Sequence, residues 1–263
     1  MTAPVTDGIS LPATLCHGTL DAIVERGGLT EVTGADGGPL LELVSSAFPG
    51  GQAPVGEARV FRGDNIAKVV YVGLAVPQIG LDSHMVFAFA PDDVAIPHFT
   101  LDSVQGQGTY AFHLDLIPRV DLGTHLTYLD WAHTPLDATY EEVSARPGLM
   151  KTAIGPRQFA MMSPWMLVHR AEDEAFRGIN GAVEAYLDHW FGLVESGVPA
   201  DVAADVADTD LATRDQRNRA NVFSPDVDKV WAQVERLIGP EQTEAVRGLL
   251  LDNTIPTTAE AQA

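Results

Sequence analysis

The side chains best placed for chemistry lie between Pro97 and Leu122, PHFTLDSVQGQGTYAFHLDLIPRVDL, where His98, Asp102, His113 and Asp115 are spaced for one face of a β-hairpin. Side chains alternate along a strand, so these residues share a side with Thr100, while Phe99, Leu101, Phe112, Leu114 and Leu116 take the other. A two-residue turn at Gly106-Gln107 predicts that Asp102 faces Ala111, Thr100 faces His113 and His98 faces Asp115. A three-residue loop on the same glycines shifts those partners but leaves the faces intact. A carboxylate on a covered sheet face must be hydrogen-bonded, paired or protonated, because an isolated buried charge is too costly. Each outcome is chemically useful; the plainer alternative is a polar face covered by water or a helix.

The flanking pattern supplies the frame. Leu11 to Arg26 reads as an amphipathic helix ended by Gly27-Gly28, and Pro39 to Ala47 as a second, short one. Ala58 to Arg62 and Ile66 to Val76 flank the turn triplet Gly63-Asp64-Asn65 and read as strands; Ser83 to Ala90 follows, with His84 and Met85 on opposite faces. Short turns between consecutive strands predict an antiparallel meander. After Leu122 the pattern turns helical, over about 126–142, 172–195, 226–238 and 240–252, the last two divided by Gly239-Pro240. Helices, then strands, then helices predict a three-layer α/β/α sandwich with a central antiparallel sheet, in a single domain over 1–253 with a disordered tail over 254–263.

Composition narrows the partners. At 263 residues and 46% hydrophobic, the chain can fill a substantial core. A formal net charge of -20 repels nucleic acid and anionic lipid. No run of about 18 apolar residues occurs and MTAPVTDGIS lacks the order of a signal peptide, so a cytoplasmic protein without membrane contact is expected. The single cysteine, Cys16, excludes an internal disulfide and all-cysteine metal or iron–sulfur sites. There is no GxSxG, HExxH, P-loop or strand-to-helix GxGxxG, and His125, Asp130 and His133 are read as solvent-facing or core-edge residues in preference to a metal site. Clustered basic residues, Arg146, Lys151, Arg157, Arg170 and Arg177 and then Arg214, Arg217, Arg219 and Lys229, are surface decoration or a local pocket for a carboxylate ligand.

HLDLIPRVDL after the PHFTLDSV strand resembles the red chlorophyll catabolite reductases and the ferredoxin-dependent bilin reductases. SPWMLVHR at 163–170, EAYLDHWFGLVESG at 184–197 and the stretch from RDQRNRANVF to LLLDN are similar to that superfamily's later segments in order, so the resemblance spans about 58 to 253. It implies an antiparallel sheet between helical layers and a linear tetrapyrrole held between the sheet and the C-terminal helices. It also implies no tightly bound cofactor or metal: electrons arrive singly from a ferredoxin-type donor and side chains donate protons.

Under that resemblance Asp102 matches the acidic residue of the central strand and is the first choice for proton donor. His84 falls near a catalytic histidine of the bilin reductases, but its spacing to Pro91 and Asp102 departs from theirs, so Met85 or Val86 is an alternative occupant of that position and His113 the substitute donor. Lys229 matches a propionate-contacting lysine, and Asp228 or Asp226 a second functional aspartate; Ser224-Pro225-Asp226 reads equally well as a helix cap. His98, Arg157 and Trp165 complete the expected substrate-binding set. One property departs from the resemblance: a chain at -20 repels an acidic ferredoxin at long range. A non-catalytic bilin carrier, or an enzyme of changed chemistry on the same scaffold, are the rival readings.

Overall fold

The computed structural model describes residues 9–48, 51–106, 108–152 and 154–256. Helix α1 (Leu11–Gly27) is capped by the Ser10 hydroxyl and ended by Gly28 in the left-handed region (φ 59°), a conformation that favours glycine. Strands β1 (Thr30–Val32), β2 (Leu41–Ser45), β3 (Ala53–Arg62), β4 (Lys68–Val76), β5 (Leu81–Phe89), β6 (His98–Gly106) and β7 (Thr109–Ile117) follow. The second half contains α2 (Leu126–Ala132), α3 (Asp137–Ser144), β8 (Leu149–Lys151), α4 (Pro156–Phe159), β9 (Leu167–Ala171), α5 (Asp173–Arg177), α6 (Asn180–Ser196), α7 (Ala200–Asp205), α8 (Leu211–Val222) and α9 (Val230–Leu251).

All strands join one antiparallel sheet in the order β1-β3-β4-β5-β6-β7-β9-β8, with β2 also on β3. One face carries Tyr71, Val86, Phe99, Leu101, Phe112 and Leu114 against α1 and α6, with Leu20, Ile23, Tyr186 and Trp190 buried from the helices. The other carries Val70, Val72, Phe87, Phe89, Ile117 and Val168 against α8 and α9, with Val222, Trp231, Leu237 and Leu250. The expected α/β/α layering is therefore observed, each large buried side chain contributing about 1.5–3 kcal/mol of apolar burial.

Several elements differ from expectation. Where a helix over 39–47 was expected, Leu41–Ser45 form β2: Leu43 and Ser45 turn inward while the strand pairs with β3 across a bulge at Leu43/Val44. The helix expected over 126–142 is broken by a single turn at Thr134–Leu136, whose Pro135 cannot supply the helical N–H. At Gly239 (φ 82°) α9 kinks, as Gly239-Pro240 predicts. Of the stretch expected as a tail, Thr254 and Ile255 make contacts: the Thr254 carbonyl accepts from Lys68 Nζ at 3.0 Å and Ile255 packs on the apolar layer; residues 257–263 lie outside the described residues.

Candidate active site

The hairpin register centres the site. Gly106 pairs with Thr109, so the turn sits one residue further on than expected and Gly108, at φ 82°, takes its left-handed position. The partners shift by two, which places Asp102 opposite His113, Thr100 opposite Asp115 and His98 opposite Ile117. Asp102 Oδ2 lies 3.5 Å from His113 Nδ1. On the other side Asp102 pairs with Met85 of β5.

Burial works against a charged imidazole at His113, but Asp102, through hydrogen bonding and charge, together with the charges of Asp115 and Asp228, outweighs it and raises the His113 pKa. Asp228 comes from the turn before α9, where its Oδ1 accepts the Val230 N–H at 3.0 Å. Burial raises its pKa, and the Asp102 charge adds to the effect. An imidazole whose hold on its proton is strengthened thus stands near two carboxylates, Asp228 and Asp115, whose pKa values burial raises, an arrangement suited to proton transfer. Asp102 Oδ1, His113 Nε2, Thr100 Oγ1 and Trp231 Nε1 are buried without a hydrogen-bond partner, and all belong to this face of the sheet or to the helix over it. Such a set of orphaned donors and acceptors suits a polar ligand.

Asp115 serves the wall of the site. It is fully buried and accepts the Ser163 N–H at 2.9 Å and the Ser163 hydroxyl, which pins the loop carrying Met162 and Met166 into the apolar layer with Phe87, Phe223 and Trp231. Burial raises the Asp115 pKa, with His113 and Ser163 pulling the other way.

The other expected residues are distributed more widely. His84 lies on the opposite face, paired with Ser103 and Gly73, so the neighbour of Asp102 on β5 is Met85, the alternative the spacing had left open. His98 is fully buried and spoken for: Nδ1 accepts the Ala90 N–H at 3.0 Å, leaving Nε2 to donate to Asp215 Oδ1 at 2.7 Å. Burial, then the Arg119 charge, lower its pKa to about 3, so it is a neutral structural residue. Trp165 packs with the opposite core, its ring stacked on His133 and its Nε1–H donating to Asp137 at 2.6 Å. Asp226, Lys229 and Arg157 cluster at the exposed turn beside Asp228: Arg157 Nη1 donates to the Asp226 carbonyl at 3.3 Å and Lys229 Nζ to that of Pro225 at 3.0 Å. Ser224 opens that turn, its Oγ accepting the Asp226 N–H, but α9 begins only at Val230, so Ser224-Pro225-Asp226 is a turn and not the helix cap expected for a helix from 226.

Thr100 was expected on this face; sequence reasoning passed over Trp231, the second residue of α9, which is buried over the sheet. Among the described residues no group of three or more His, Cys, Asp or Glu is arranged to hold a metal ion, and no helix is long and apolar enough to cross a membrane.

The layer order and sheet define the fold of the ferredoxin-dependent bilin reductases. Among solved structures the chain is similar to phytochromobilin synthase from tomato, determined in complex with biliverdin, with a TM-score of 0.68 at 15% identity over 94% of this chain and 86% of that one. No family model matches the sequence, and no curated protein does.

Proposed function

We propose that this protein reduces a linear tetrapyrrole, or a conjugated small molecule like it, with electrons supplied singly by a ferredoxin-type donor and protons supplied by its own side chains. The observation that carries this reading is the meeting of Asp102, His113 and Asp228 between the sheet and the start of α9, with buried polar atoms unpartnered around them. Saturating one conjugated double bond consumes two electrons and two protons. In this reading His113, charged and backed by Asp102, gives one proton, and Asp228, whose acid form burial favours, gives the other; Asp102 then steadies positive charge on the pyrrole nitrogens. Met85, Phe87 and Trp231 supply an apolar bed for a flat ring system, and Arg157 and Lys229 stand at the rim, within reach of its carboxylates.

Absorbance titration with biliverdin, followed by anaerobic addition of a reduced ferredoxin system, tests ligand and reaction together. The expected result is a bound spectrum that changes on reduction in the native protein and persists in Asp102→Asn. Bound colour untouched by reductant in the native protein supports a carrier, and absence of binding removes the reading.

A further inference from the structure

Asp102 Oδ1, His113 Nε2 and Thr100 Oγ1 on the sheet, and Trp231 Nε1 in the layer over it, are sealed from solvent as well as unpartnered. A ligand therefore meets them only if part of the covering layer moves. Most of that layer is tied down. α8 is held through Asp215, which binds His98 and lies within ion-pair distance of Arg119 and Arg219. The loop before β9 is fixed by the two bonds from Ser163 to Asp115. The second half of α9 buries Thr243, Val246, Leu249 and Leu250.

The first half of α9 is held differently. Gly239, at φ 82° and ψ 165°, leaves the helical region in the middle of α9, and Pro240 after it has no N–H to continue the helical bonding. The chain around this break is anchored on β2. The Ser45 hydroxyl donates to the Leu237 carbonyl, Gln242 Nε2 donates to the Ile238 and Val44 carbonyls, and Gln242 Oε1 accepts the Val44 N–H. These bonds make the break a fixed pivot. Away from it, Val230, Ala232, Gln233, Glu235 and Arg236 are exposed, and the Trp231 indole is what the helix buries. The remaining ties at that end are light: Arg247 Cζ lies 5.9 Å from the Trp231 ring centre, and Arg157 reaches the Asp226 carbonyl at 3.3 Å in an exposed position. Phe223, at the end of α8, is gripped by Arg247 Nε at 2.9 Å through its carbonyl, so any movement starts after it.

We infer that residues 225–238 form a lid over Asp102 and His113, pivoting at Gly239 and latched by the Trp231 indole. Opening it uncovers the sealed polar atoms and withdraws Asp228, which belongs to this segment and interacts with both Asp102 and His113. Closing restores Asp228 and excludes water, so the proton-donating set is complete only over a bound ligand. What passes beneath the lid is the flat ligand of the reading above, on which this role, though not the movement, rests.

Hydrogen–deuterium exchange of the full chain without ligand tests the movement. The amides of 234–238 are expected to be at least about tenfold less protected than those of 244–250, through an opening that depends only weakly on urea, as local opening does. Equal protection of the two halves, or equal urea dependence, means that α9 opens only as a unit and overturns the proposal. Stopped-flow binding of biliverdin tests the role. The observed rate is expected to level off with rising biliverdin at the opening rate of 234–238, measured by exchange at alkaline pH, where each opening is recorded. A binding rate that climbs past that opening rate also overturns the lid. Absence of any binding removes the tetrapyrrole reading, and the exchange comparison then decides the lid by itself.

Discussion

Asp102 and His113 are legible as a pair because strand alternation alone puts them on one face, whichever loop closes the hairpin. Their direct opposition was not legible, since it depended on which glycine adopts the left-handed turn conformation, and two candidates lie two residues apart. His84 was hidden for a related reason. Its face relative to Asp102 is set by the irregular stretch 90–97 between β5 and β6, and no periodicity crosses such a segment. The raised pKa of His113 gives a direct expectation: reduction proceeds while His113 is protonated and slows as pH rises through its elevated pKa. In His113→Gln that alkaline limb of the pH–rate profile disappears and the maximal rate falls by about 10²–10⁴, with bilin still bound in an absorbance titration.

At the scale of elements, the strongly apolar strands and the glycine-proline break in α9 were legible, and α8 was not. Its sequence, LATRDQRNRANV, has no apolar stripe, and its buried residues are Asp215, Arg219 and Val222. What holds α8 is a buried ionic network. Asp215 accepts from His98, sits 3.4 Å from Arg119 Nε and 3.6 Å from Arg219 Nη1, and Arg219 stacks over the Phe89 ring at 3.7 Å. The arginines that suggested a pocket for a ligand are thus partly committed to the fold. Asp215→Ala strands two buried guanidinium groups, and a loss of about 3–5 kcal/mol in unfolding free energy is expected from urea denaturation. The segment at 39–47 misled in the opposite sense: PLLELVSSA carries enough leucine for either structure, and pairing with β3 decides for a strand.

For the molecule as a whole, the buried bases set the pH response. His98 and His133, fully buried, have pKa values pushed down to about 3, chiefly by burial. The unfolded chain therefore takes up protons that the folded one refuses between about pH 6.5 and 3, and stability falls on acidification through that window by about 1.4 kcal/mol per pH unit for each histidine. Lys68 extends the trend upward. Burial, then the Arg219 charge, lower it to about 7, so stability rises between about pH 7 and 10.5 from this group, and Lys68→Met removes that rise in urea midpoints measured against pH. The net charge of -20 acts at longer range. Arg146, Arg177, Arg26 and Arg247 are paired with Glu142, Asp173, Asp188 and Glu244, which leaves little positive field to steer an acidic donor. Electron delivery from an acidic ferredoxin is accordingly expected to speed up with added salt in stopped-flow measurements, the reverse of an electrostatically steered pair.

The clasp on the chain's last described residues bears on the order in which the molecule comes together. Arg219 donates to the Leu250 and Asp252 carbonyls and to Asn253 Oδ1, Lys68 holds Thr254, and Asn253 reaches back to the Ala90 carbonyl and Asp92. During synthesis the sheet and its α1–α6 layer can close while residues beyond Ser196 are still being added, but Asp102 and His113 then face water, together with the bare apolar side formed by Val70, Val72, Phe87 and Phe89. The layer that covers this surface is fastened by residues 250–254, so the candidate active site is among the last parts of the protein to exist.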